Sequence, residues 1–142
     1  MVITDARGNL LACKVFAADT GEREALKGTL TVELCEEHSS WRYLIVDAGF
    51  SGAAFEAWTW KERGLETVVV HRAPEWEAQN AADESLVGFA PLKWRWIVER
   101  TFAWFTRFRR LAKDVEFLTE TSETMLEIAM CHILMRRLKP PC

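Results

Sequence analysis

The 142-residue sequence contains no apolar run approaching the roughly 18 residues that a membrane-spanning helix needs, so a transmembrane protein is not expected. Its opening, Met1-Val2-Ile3-Thr4-Asp5, has no basic stretch leading into an apolar one, and no secretory signal is visible. A cytoplasmic protein is the expectation. There is no CxxC pair. The four cysteines, Cys13, Cys35, Cys131 and Cys142, are scattered and read as buried thiols or tail residues in a reducing compartment. Cys35 and His38 have C-x2-H spacing and Cys131 abuts His132, but neither has the second ligand pair that a zinc site requires. Internal repeats and low-complexity tracts are also lacking.

What is present suits one globular domain: 49% of residues are apolar, enough for a single buried core, and 27% are charged. The net charge of −3 conceals an uneven distribution. Between Pro91 and Lys113 stand seven bases, Lys93, Arg95, Arg100, Arg107, Arg109, Arg110 and Lys113, against one acid, Glu99. That segment is +6, which leaves −9 for the remainder. An acidic body with one concentrated basic element points to a polyanionic partner bound at one place, with a solvated helix face as the simpler explanation.

Residues 2–4 and 10–16, separated by Asp5-Ala6-Arg7-Gly8-Asn9, read as a β-hairpin. Residues 22–38 read as a helix with Leu26, Leu30 and Leu34 on one face, interrupted by Gly28. Residues 42–47 form an apolar run ending in Asp47, as in a buried strand, and Gly49 and Gly52 turn the chain. A helix over residues 53–63, stopped by Gly64, leads to a second β-branched strand at 66–71. Strand, helix and strand predict a parallel βαβ unit. A polar connection over 73–90 precedes a long helix at 92–113, and a last helix spans 122–138. The fold class is α/β.

On the long helix, Ile97, Val98, Phe102, Trp104, Phe105, Phe108, Leu111 and Ala112 share one broad face with Trp94. Glu99 lies opposite among Arg95, Arg110 and Lys113, and Trp96 is on the same polar side. An i,i+4 pair between Arg95 and Glu99 would explain those two residues, at about 0.2–0.5 kcal/mol, but not the other bases. Asp47 ends a strand, where chemistry gathers in open α/β sheets. A turn-capping role is the structural alternative. Two carboxylates from separate elements near a basic face would suit metal-assisted phosphoryl transfer.

The run Arg95-Trp96-Ile97-Val98-Glu99-Arg100-Thr101-Phe102-Ala103-Trp104-Phe105, continued by Arg107-Phe108-Arg109-Arg110-Leu111, resembles the RWVVERTFAWL…R.RRL segment of bacterial DDE-type insertion-sequence transposases over sixteen positions. Val46-Asp47-Ala48-Gly49-Phe50-Ser51-Gly52 is similar to the family's ADxGYxG segment. Ile3-Thr4-Asp5-Ala6-Arg7-Gly8 with Leu10-Leu11-Ala12 resembles its hairpin, and Asp114-Val115-Glu116 with the last helix resembles its ending. The resemblance covers essentially the whole of residues 1–142 as a partial DDE catalytic domain.

The resemblance implies a ribonuclease-H-like mixed sheet with flanking helices, and Mg²⁺ held by three carboxylates for attack on a DNA phosphodiester. Asp47 would be the second carboxylate and Glu99 the third. Arg95 would be the base of the family's Y-x2-R-x3-E-x6-K signature, with Arg100, Arg107, Arg109, Arg110 and Lys113 as further DNA contacts. Leu92 and Thr106 stand where the signature has Tyr and Lys. The family's first Asp lies on a central strand ahead of the hairpin, and this sequence is expected to lack both. Asp19, near a strand end, is a better replacement than Asp5 in the hairpin turn. Without that strand, the sheet should rejoin across the gap, dimerise or be marginally stable. The implied partners are DNA, at transposon ends, and another copy or a full-length transposase. The implied function is DNA transposition, weak or absent in this chain alone. The alternatives are a non-enzymatic DNA-binding or transposase-associating remnant, and an inactive one.

Overall fold

A computed structural model of the chain describes residues 1–70, 94–113 and 115–138, and of Arg95 only the backbone. Contacts divide it into two compact units, Met1–Leu34 with Ile97–Cys142, and Cys35–Trp96. The polar connection at 73–90 and the start of the long helix at Leu92 lie outside the described residues. The secondary structure is mixed α/β, with two two-stranded sheets rather than one rejoined sheet among the described residues.

The first unit opens with the expected hairpin, β1 (Val2–Thr4) antiparallel to β2 (Leu10–Cys13). Asp5 builds its turn. Its Oδ1 accepts from the backbone N–H groups of Arg7 and Asn9, both at 2.8 Å, and its Oδ2 accepts from Asn9 Nδ2 at 2.7 Å. Gly8 adopts φ +77°, the left-handed region that glycine enters without steric cost.

The predicted helix over 22–38 is two helices, α1 (Glu22–Thr29) and α2 (Val32–Glu37), the second crossing the boundary between the units. The break falls at Leu30, whose φ of −83° and ψ of 73° leave the helical region. Thr31 Oγ1 then accepts from Leu34 N–H at 3.2 Å and caps a new start. Leu30 itself is fully buried, so the side chain that suggested helical continuity instead anchors the kink.

The long basic helix is also shorter than expected. This helix, α4 (Arg95–Phe105), ends where Thr106 Oγ1 bonds back to the Ala103 carbonyl at 2.9 Å. Bonds from Arg107 N–H to Trp104 O and from Phe108 N–H to Phe105 O tighten the chain into turns over residues 106–113. Like charges at i,i+3 and i,i+4, Arg107 with Arg110 and Arg109 with Lys113, oppose further helix there. The turns still deliver Phe108 and Leu111 to a core of Phe105, Ala129 and Met130. Phe102 and Ala112, expected on the buried face, are exposed. The last helix, α5 (Thr119–Leu138), supplies the other wall of this core, and Leu10 of β2 packs against it.

The second unit contains the expected βαβ. Strand β3 (Tyr43–Asp47) runs parallel to β4 (Glu66–Val70), with Asp47 opposite Val70. The connecting helix, α3 (Ala53–Arg63), ends at Gly64, whose φ of +67° permits Gly64 N–H to bond Trp60 O and Leu65 N–H to bond Thr59 O. Thr59, fully buried, hydrogen-bonds Thr67 of β4 and locks helix to strand. The strand is only half buried, contrary to expectation: Leu44 is enclosed, while Tyr43 and Ile45 are exposed. No helix of the described residues is long and apolar enough to cross a membrane.

Two predictions follow from the first unit. A Cβ on Gly8 would stand 2.8 Å from Thr101 Oγ1 in addition to its left-handed strain, so Gly8→Ala should destabilise by about 2–4 kcal/mol, read as a lower denaturation midpoint at unchanged m-value. Burial, reinforced by the Glu127 and Glu123 carboxylates, pushes the Cys13 thiol up to about 11, from 9.0. The folded state therefore retains this proton where the unfolded chain loses it, and the contribution, full below pH 9, fades as pH rises toward 11. At pH 8, alkylation followed by mass spectrometry should find exposed Cys131 modified well before Cys13.

Candidate metal and nucleic-acid site

Asp47 is exposed at the carboxyl end of β3. The following turn, Ala48–Phe50, begins on its side chain, since Oδ1 accepts from Gly49 N–H at 3.1 Å. The cap weighed as the structural alternative is thus formed. A cap through one oxygen is compatible with metal ligation through the other.

Glu99 belongs to the other unit. On α4 the buried line is Ile97, Thr101 and Phe105, spaced by four residues, and Glu99 projects on the far side and is exposed. Trp96 is exposed at 45%, in keeping with its expected polar side. Just before the helix, Trp94 holds φ at 77°, a conformation that costs a bulky residue about 1–2 kcal/mol. Among the described residues, no three His, Cys, Asp or Glu gather to hold a metal ion. Asp5 is committed to its turn, and Asp19 is exposed in the 17–20 turn.

The basic residues fall into distinct environments. Arg107, Arg109, Arg110 and Lys113 are exposed on the 106–113 turns rather than along a helix, and Arg110 is ion-paired with Glu116. Arg100 is half-buried. Its guanidinium donates to the Arg7 carbonyl at 2.8 Å and lies 5.0 Å from the centre of the Trp104 ring. Arg137 of α5 approaches the same ring at 4.4 Å and bonds the Asn9 side chain. Beside them Thr101 Oγ1 donates to the Gly8 carbonyl at 2.8 Å and stands 3.0 Å from Ile97 O. Sequence reasoning missed this clamp. Its one signal was a Thr in the middle of an apolar line, at i+4 from Ile97.

One unit thus offers an exposed acid closing a parallel strand, and the other an exposed acid on a helix that leads into a basic turn. Residues 44–136, about two thirds of the chain and spanning both acids, match the family described as the transposase DDE domain. The chain belongs to the DDE-type insertion-sequence transposases. It is also similar to a Burkholderia cepacia protein named as a transposase for insertion sequence element IS402, with 26% identity over 144 residues. The match takes in 97% of this chain but 63% of that protein, so the chain spans under two thirds of its relative's length. No solved structure matches.

The surroundings of the arginines separate two kinds. Arg100→Ala should lower stability by about 1–2 kcal/mol in denaturant titrations, through the lost charged hydrogen bond and ring contact. Arg109→Ala should stay within about 0.5 kcal/mol of the parent.

Proposed function

We propose that this chain works in DNA transposition, as the part of a transposase that cleaves and joins DNA phosphodiesters with a divalent metal. The observation that carries the reading is the exposure of Asp47 and Glu99 on regular elements, both within the span that matches the transposase family and in segments that resemble its carboxylate motifs. Their oxygen donors suit Mg²⁺, a hard cation. They supply two ligands, and no set of three is found among the described residues. When bound, Mg²⁺ would stabilise charge on the attacking and leaving oxygens. Asp47 and Glu99 would hold the ion, and the Gly49 N–H bond would fix the Asp47 carboxylate. Arg95, Arg107, Arg109, Arg110 and Lys113 would hold DNA phosphates, with Arg100 holding the helix in place. We read residues 1–142 as part of one ribonuclease-H-like catalytic domain, acting in the cytoplasm on transposon ends, alone or with further transposase copies.

A second reading is a DNA-binding or transposase-associating module without chemistry. It is favoured by the basic turn, which lies wholly within one unit together with its anchor on α5. The two readings separate on supercoiled plasmid. The first expects weak Mg²⁺-dependent nicking, reduced at least about 100-fold in Glu99→Gln, with salt-sensitive DNA binding retained. Retained binding without metal-dependent nicking supports the second, and nicking indifferent to Glu99→Gln overturns the assignment of that carboxylate.

A further inference from the structure

Three donors from two helices converge on the turn at residues 5–9. Arg100 Nη2 donates to the Arg7 carbonyl, Thr101 Oγ1 to the Gly8 carbonyl, and Arg137 Nη1 to Asn9 Oδ1. The turn is stiff where they land. Arg7 and Asn9 N–H donate to the Asp5 carboxylate, and Gly8 N–H donates to the Asp5 carbonyl at 3.0 Å. Filling the core does not require the Thr101 bond, since a valine of nearly the same shape would occupy the buried space with no polar atom of its own to satisfy. Thr29, buried in the same unit, satisfies its hydroxyl on the Ala25 carbonyl of its own helix at 2.8 Å. Thr101 Oγ1 instead lies nearer to the Gly8 carbonyl than to Ile97 O of its own helix, at 2.8 Å against 3.0 Å. A Cβ on residue 8 would crowd that hydroxyl at 2.8 Å, so the bond depends on glycine there.

Glu99 stands two residues before Thr101 on the same helix. A group at a helix surface, about 5–6 Å from the axis, moves by about 1 Å when the helix turns by about 10°. Metal–oxygen distances tolerate only about 0.2 Å. We propose that Thr101 is a positioning residue for the Glu99 carboxylate. Its bond to the Gly8 carbonyl fixes the rotation of α4, and so the direction from which Glu99 meets a divalent cation. Arg100 supports the same angle from the neighbouring face. Asp5 enters as the residue that stiffens the acceptor turn, not as a metal ligand. The inference rests on the metal-binding reading of Glu99 given above, and adds the device that would keep that carboxylate in register.

The test uses the full 142-residue chain and Mn²⁺, which carboxylates hold and whose free form is counted by its electron spin resonance signal. All variants are compared at a temperature where each is folded. Glu99→Gln should lose Mn²⁺ binding. Thr101→Val, which keeps the shape and removes the donor, should weaken it about 10-fold, and Thr101→Ser should restore it. Arg100→Lys keeps the charge without the fork and should weaken binding in the same direction by less. Thr29→Val loses a buried hydroxyl bond elsewhere in the unit, and should lower the unfolding midpoint with Mn²⁺ affinity unchanged. A folded Thr101→Val that binds Mn²⁺ like the parent, while Glu99→Gln does not, overturns the positioning role and spares the metal reading. Where Thr101→Val does not fold, parent-like binding by Arg100→Lys has the same force. Failure of Thr101→Ser to restore binding, or an equal loss in Thr29→Val, shows general loosening of the unit and overturns the role as well. Mn²⁺ binding that is absent from the parent, or indifferent to Glu99→Gln, overturns both.

Discussion

The hydroxyl of Thr101, donating to the carbonyl of Gly8 at 2.8 Å, is the contact on which the first unit depends. It is fully buried and joins residues 93 apart in sequence. It works only because of what surrounds it. The Asp5 carboxylate shapes the turn, Gly8 takes a backbone angle closed to other residues at little cost, and the absent Cβ leaves room for the hydroxyl. Arg100 and Arg137 then approach the Trp104 ring while bonding Arg7 and Asn9 of the same turn. A three-residue strand and a four-residue strand would be marginal as an isolated hairpin. Docked on two helices, they become part of a core.

The second unit solves a different problem with similar economy. A parallel strand pair needs a crossover, and here the crossover helix is fixed at its end by Gly64 and in its middle by Thr59 bonding Thr67. Fixing the helix fixes the register of both strands, because Thr67 pairs with Leu44. That register sets Asp47 at the end of the ladder, opposite Val70, where the chain turns away. The position of this carboxylate therefore follows from contacts around residues twelve to twenty positions away.

What was legible in the sequence was whatever local chemistry dictates. The hairpin followed from its polar turn, the βαβ unit from β-branched runs around a helix, and the end of α3 from Gly64. What was not legible was where helices stop without a glycine or proline. Thr31 and Thr106 end or restart helices through side-chain bonds to nearby backbone, a competition that apolar periodicity does not register. Leu30 and Leu34 kept the helical spacing through a break, and Phe108 and Leu111 kept their apolar role through turns. Burial pattern and helix continuity are separate properties. The separation of the two sheets was invisible for another reason, since strand pairing between distant segments leaves no local trace. For the candidate site, the motifs picked out Asp47 and Glu99 but treated the bases of the 91–113 segment as one group.

That grouping hides a division of labour at adjacent positions. Steps of about 100° along α4 send Glu99 outward, Arg100 toward the hairpin and Thr101 into the interior. On the metal-binding reading proposed above, the Glu99 carboxylate must be positioned within about 0.5 Å, which requires that the helix be unable to rotate about its axis. A single buried row of apolar side chains resists rotation poorly, because such packing is not directional. A hydrogen bond from Thr101 and a forked donor on Arg100, both aimed at carbonyls of one rigid turn, are directional and oppose rotation from neighbouring faces. Glu-Arg-Thr is then a unit in which one residue meets the outside and two hold its angle. On that reading, resemblance to the motif around Glu99 is in part resemblance to the scaffold that keeps its carboxylate still.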